Sequence, residues 1–170
     1  QLILERLPRT LIGMGMNRHG ATSTTPPQVF SGYMACLANG YSASDGDIFP
    51  YYFRKYELGP VIGMRTWGGV RGIRGNPGIM DGGYIYPPEF SRYDLNSTWN
   101  MENYGVAPDI EVDNLPNLVV EGKDPQLEKA VEYLMQQIRE NPDSLHMELP
   151  PIPDYDKPYP EEYYEMLDME

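Results

Sequence analysis

Apolar positions along the chain fall in short runs broken by polar, glycine and proline turns, which predicts short elements rather than long helices. Leu2, Ile3, Leu4 and Leu7 follow a helical spacing that Pro8 stops. Leu11-Ile12-Gly13-Met14 predicts a short strand within residues 9–16, followed by a polar loop over residues 17–27. Tyr33-Met34-Ala35-Cys36-Leu37 reads as a buried strand, and Asp45 to Tyr56 as a helix that opens on acidic residues. A turn and a strand follow over Leu58 to Thr66. From Trp67 to Gly75 glycine alternates with larger residues, which suits close backbone approach to a ligand or to another strand. Met80 to Tyr86 predicts a hairpin turn entering a strand, halted by Pro87-Pro88. Between Asn100 and Val112 a polar loop passes into a short strand. The clearest helix begins at Asp124-Pro125, where Leu127, Ala130, Val131, Leu134 and Ile138 recur at helical spacing behind a capping aspartate.

These elements imply a mixed α/β domain over residues 1–147, followed by an acidic tail over residues 148–170 dense in Pro and Tyr. Seventeen glycines and seventeen prolines among 170 residues agree with many turns. The formal net charge of -12 argues against nucleic acid or an anionic membrane surface as partner, because phosphate binding needs clustered Lys and Arg. No apolar run approaches the length of a membrane span. The single cysteine, Cys36, sits in a predicted strand and reads as a small buried hydrophobe. The opening Gln1 to Leu7 starts in the middle of a helical pattern without Met, so we expect the first elements to lie upstream.

Candidate chemistry centres on Asn39-Gly40-Tyr41-Ser42-Ala43-Ser44-Asp45-Gly46-Asp47, a small-residue turn between strand and helix. A serine there stands at the positive end of the helix, where unpaired N–H groups can stabilise an oxyanion. Ser44 is thus a candidate nucleophile for acyl transfer, although Ser before Asp-Gly-Asp equally fits ordinary N-capping. His19 lies in a Gly/Thr loop, where a solvated histidine is the ordinary outcome. The glycine-rich run lacks the lysine of a phosphate-binding loop, and no residue pattern calls for a cofactor or metal.

Four stretches in order carry a resemblance: Ser42 to Phe49, Leu58 to Val70, Glu102 to Asp109, and Gly122 to Glu128. Together they resemble the catalytic C-terminal half of tricorn protease and its tricorn-like relatives, serine peptidases related to the carboxyl-terminal processing peptidases. The resemblance implies an α/β fold with a crotonase/ClpP-like spiral core. It implies Ser44 as nucleophile, the Asp45 backbone N–H as one oxyanion donor, and Glu102 as the glutamate that orients the catalytic histidine through an upstream serine. Without the resemblance Glu102 would read as a solvated loop carboxylate. The processing peptidases place a lysine base after a Thr-Phe-Gly triplet; here Gly69 follows Thr66-Trp67-Gly68, which points to the histidine branch.

In tricorn-type enzymes the histidine, its partner serine and the second oxyanion donor all lie upstream of the matching region. His19 and His146 do not fall at the family's position. We therefore expect the base to come from sequence outside these 170 residues, and the isolated chain to be nearly inert, since an unassisted serine hydroxyl is a poor nucleophile. The resemblance further implies peptide or unfolded substrates, homo-oligomers that include hexamers, and a cytoplasmic setting unless a leader directs export. The contrasting expectation is a non-catalytic interaction or assembly module that keeps the fold.

Overall fold

The computed structural model describes residues 2–73, 77–142, 149–151, 156, 158, 160 and 162. The 147/148 boundary, His146 and most of the acidic tail lie outside the described residues. In chain order the elements are α1 (Leu2–Arg6), β1 (Gly13–Met16), β2 (Thr22–Thr25), β3 (Cys36–Ala38), α2 (Asp45–Lys55) and β4 (Val61–Gly63). They continue with β5 (Gly72–Ile73), β6 (Pro88–Phe90), β7 (Ile110–Glu111), α3 (Pro116–Val120) and α4 (Pro125–Glu140).

The centre is a parallel sheet in the order β3-β4-β7, with Cys36 opposite Val61 and Ile62 opposite Ile110. Parallel pairing demands crossover connections, and α2 supplies the one between β3 and β4. Leu4, Cys36, Ala38, Phe53 and Val61 form the buried cluster that joins α1, α2 and the sheet. Burial pushes the Cys36 thiol up to about 11, as expected when the thiolate would lose its water. Asp109 locks the sheet's start: its Oδ2 accepts from the Val61 N–H at 2.8 Å, its own N–H donates to the Val61 carbonyl at 2.7 Å, and Arg54 pairs with its Oδ1 at 3.1 Å. A second cluster of Val70, Met101 and Val106 packs against Ile48 and Tyr51 on the other side of α2.

Several sequence expectations need correction. The loop assigned to residues 17–27 contains β2, which pairs antiparallel with β1 from Gly13 opposite Thr25 to Met16 opposite Thr22. Threonines suit such a strand, but without an apolar alternation the pairing leaves no local signature. The strand expected at Met80 to Tyr86 reduces to one isolated bridge between Gly78 and Tyr84, and the strand lies instead over Pro88–Phe90. Pro88 is tolerated there as the first residue of the strand. The helix at Pro125–Glu140 forms as expected, with the Asp124 side chain accepting from the Leu127 N–H, yet only Gln126 and Ala130 on it are buried. Leu127, Val131 and Ile138 remain about half exposed.

Candidate active site

Ser44 is the N-cap of α2 and adopts φ 56°, ψ −110°, a left-handed conformation that a residue with a Cβ takes only under tertiary constraint. The constraint is visible. The Ser44 N–H donates to the Gly69 carbonyl at 3.1 Å, while the Ser44 carbonyl accepts from Asp47 and Ile48, each at 2.9 Å. The preceding turn is held by Asn39, whose side chain accepts from the Tyr41 N–H, and by Ser42, whose Oγ accepts from the Asn39 N–H. The result is a sharp entry into the helix that leaves the Ser44 side chain exposed and without a capping hydrogen bond. The Ser44 hydroxyl is free for chemistry rather than spent on the helix end. The Asp45 N–H beside it has no acceptor among the described residues, so an unpaired amide accompanies the hydroxyl at the positive end of an eleven-residue helix.

The segment Trp67 to Arg71 forms the opposite wall. Trp67 N–H donates to the Ser42 carbonyl at 2.9 Å, and the Gly68 N–H donates to Asp47 Oδ1 at 2.7 Å. Asp47 is fully buried, and its Oδ2 has no partner among the described residues. Gly68 has φ +87°, and a Cβ there would stand 2.5 Å from the Gly105 nitrogen, so only glycine fits. Gly72 meets the expected close approach from a neighbouring strand: an added Cβ would come within 1.9 Å of the Phe90 ring.

Glu102 closes this wall from behind. Its Oε2 accepts from the Val70 N–H at 2.9 Å and the Arg71 N–H at 3.0 Å, and its Oε1 lies 3.7 Å from Arg71 Nε. The loop that carries it is held by the Asn103 N–H donating to the Gly68 carbonyl at 2.7 Å. Met101 and Asn103, on either side of Glu102, both have positive φ, at 70° and 66°. Ser44 and Glu102 are thereby joined through one intervening segment: Gly69 holds the serine's backbone, and Val70 and Arg71 hold the glutamate. Between Ser44 and this wall lies a cleft of about 440 Å³, lined also by Ile48, Ile73, Phe90 and Arg92.

His19 stays apart. It sits at the exposed tip between β1 and β2, its N–H donating to Asn17 Oδ1 at 2.9 Å, and it is not among the residues lining the cleft. His146 is outside the described residues. Nothing in the sequence distinguishes Asp47 from an ordinary first-turn acid, and Arg71 and Arg92 carry no local pattern that marks them for the cleft.

The family model for Peptidase family S41 matches residues 9–112, a span that contains Ser44, the glycine-rich wall and Glu102. This chain belongs to peptidase family S41. Among S41-type relatives, tricorn protease of Thermoplasma acidophilum is 40% identical over 139 residues, covering 82% of this chain and 13% of that protein. Tricorn protease homolog 1 of Streptomyces coelicolor is 35% identical over 150 residues, covering 88% of this chain and 14% of its own. The crystal structure of the tricorn protease superposes with a TM-score of 0.76 at 40% identity, over 81% of this chain and 14% of that one. The S41 membership and this likeness bear out the expected α/β fold with its crotonase-like spiral core. The chain spans about a seventh of the length of these relatives.

Proposed function

We propose that this chain carries the nucleophile of a tricorn-like serine peptidase that hydrolyses peptides or unfolded segments. The observation that supports the reading most directly is Ser44 itself: a strained, exposed helix-start serine whose side chain makes no capping bond, beside the unpaired Asp45 N–H. Holding such a backbone conformation costs about 1–3 kcal/mol, which ordinary N-capping does not require. In the reaction, Ser44 Oγ attacks the carbonyl carbon of the scissile peptide while a histidine removes its proton. The oxyanion is stabilised by the Asp45 N–H, and the same proton is delivered to the departing amine. Water then hydrolyses the acyl-serine ester and restores Oγ–H. His19 lies away from the cleft, and neither His19 nor His146 falls at the position of the tricorn-type histidine, so on that resemblance the histidine is assigned to sequence outside these 170 residues.

Glu102 is assigned the orienting role through its second oxygen. Oε2 is committed to two backbone amides, whereas among the described residues Oε1 has only the long contact to Arg71, leaving an acceptor for a group that fixes the base. Assembly as a homo-oligomer and a cytoplasmic setting belong to the same reading and rest on the resemblance to tricorn-type enzymes. Mass-spectrometric mapping of a fluorophosphonate adduct tests the proposal, on this chain and on the longest natural protein that contains it. An adduct at Ser44 in the longer protein, absent in Ser44→Ala, together with a loss of about 10³-fold or more in peptide turnover, is the expected result. A folded longer protein with no adduct at Ser44 would leave an interaction module as the better account.

A further inference from the structure

The cleft beside Ser44 has an apolar floor and a cationic rim. Ile48, Val70, Ile73 and Phe90 supply the apolar surface, and Arg71 and Arg92 both line the same hollow of about 440 Å³. The two arginines differ in their commitments. Arg71 faces Glu102 at 3.7 Å, so part of its charge is already matched. Arg92 is exposed and has no hydrogen bond or ion pair among the described residues. In a chain with 13 Lys and Arg against 25 Asp and Glu, a free guanidinium on the cleft rim has many acids to pair with, and here it pairs with none of those described. Besides Glu102, three acids border these hollows: Asp45 lines the cleft itself, Glu5 the adjoining hollow of about 300 Å³ that Arg92 and Asp45 share, and Glu89 a third of about 360 Å³ that Arg71 and Phe90 share.

We propose that Arg92, seconded by Arg71, is a specificity-determining residue that selects substrates bearing a carboxylate next to the scissile bond. This deepens the serine-peptidase reading and rests on it. A guanidinium matches a carboxylate with two parallel N–H donors, and because Arg92 is exposed the attraction is of modest strength and screened by salt. The carboxylate has two possible sources of the same chemistry, an Asp or Glu side chain or the free C-terminus of a short peptide. An apolar floor alone would select Leu or Phe with no charge dependence.

Two measurements on the longest natural protein containing this chain test the assignment. In the first, kcat/KM is compared for peptides with Glu, Gln, Leu or Lys before the cleaved bond, each with a free or an amidated C-terminus. Glu is expected to exceed Gln by about tenfold at low salt, with the margin shrinking as ionic strength rises. Dependence on the free acid rather than on Glu would assign the carboxylate to the peptide terminus. The preference should vanish in Arg92→Gln, persist in part in Arg92→Lys, and turn toward Lys in Arg92→Glu, a gain that no misfolded variant can mimic. In the second, the same labelled peptides are bound to Ser44→Ala and followed by anisotropy. Turnover with no carboxylate preference, or a preference unchanged in all three Arg92 variants, overturns the inference and leaves the peptidase reading intact. Glu-selective binding that requires Arg92, with no adduct at Ser44, overturns the peptidase reading and keeps the carboxylate site.

Discussion

At the scale of single residues, the site depends on carboxylates used as backbone clamps. Asp47 is the clearest case, because its buried Oδ1 holds the Gly68 N–H and Gly68 adjoins the Gly69 carbonyl that fixes Ser44. Asp47→Ala strands that amide, so we expect a loss of about 2 kcal/mol in urea melts and a fall in turnover beyond what the stability loss explains. Glu102→Gln keeps an acceptor oxygen for only one arrangement of its amide. On the proposed role of Glu102 in orienting the base, it is expected to lower kcat by about tenfold or more while changing KM little. Cys36 offers a separate check on packing. With its thiol pushed from 9.0 to about 11, the thiolate fraction at pH 8 falls about a hundredfold, and iodoacetamide should label it correspondingly more slowly in the folded than in the urea-unfolded chain. Ser44 was legible as a candidate because a small-residue turn before an acidic helix start is a local pattern. The commitment of Glu102 to Val70 and Arg71, 32 and 31 residues away, leaves no such pattern.

At the scale of elements, α2 and the Trp67–Arg71 segment form one unit, and glycine decides whether they can meet. Gly68→Ala would place a Cβ 2.5 Å from the Gly105 nitrogen at a φ of +87°. We expect it to cost about 2–4 kcal/mol, to lower the denaturation midpoint, and to abolish labelling of Ser44 in whatever folded fraction remains. The α4 helix illustrates the opposite balance. Its period, its Asp124 cap and its Pro125 start were all readable, since capping and amphipathicity act within a few residues. How much of its apolar stripe is buried was not readable, because that depends on what lies across from it. The same reason explains β2, whose threonines become a strand only when β1 is placed alongside.

At the scale of the whole molecule, the loop over residues 93–100 is tied back to α2 by charge. Asp94 accepts from the Tyr51 hydroxyl and pairs with Lys55 at 3.0 Å, while Asn100 donates to the Tyr51 hydroxyl at 2.7 Å. The Tyr51 hydrogen bond, followed by the contacts with Lys55 and Asn100, lowers the Asp94 carboxyl below its usual 3.8. The Asp124 carboxyl is lowered in the same way, chiefly by the Leu127 N–H and then by Asn114. A carboxyl whose folded value is depressed contributes its full stabilisation above the unfolded value and loses it as the pH falls through the folded one. Stability should therefore drop below about pH 4 in part through these groups, and Asp94→Asn should flatten that limb of a pH series of thermal melts. Local order is what the amino-acid pattern dictates: where helices start and stop, which residues are apolar, the acidity of the chain, and the turn that presents Ser44. Those features follow from interactions that span a few residues and survive in any context. Arg92 reaching the Ser44 cleft, Glu102 clamping the opposite wall and the parallel β3-β4-β7 register arise from contacts between segments tens of residues apart. Their strength depends on burial and exact approach, quantities that exist only once the chain has folded.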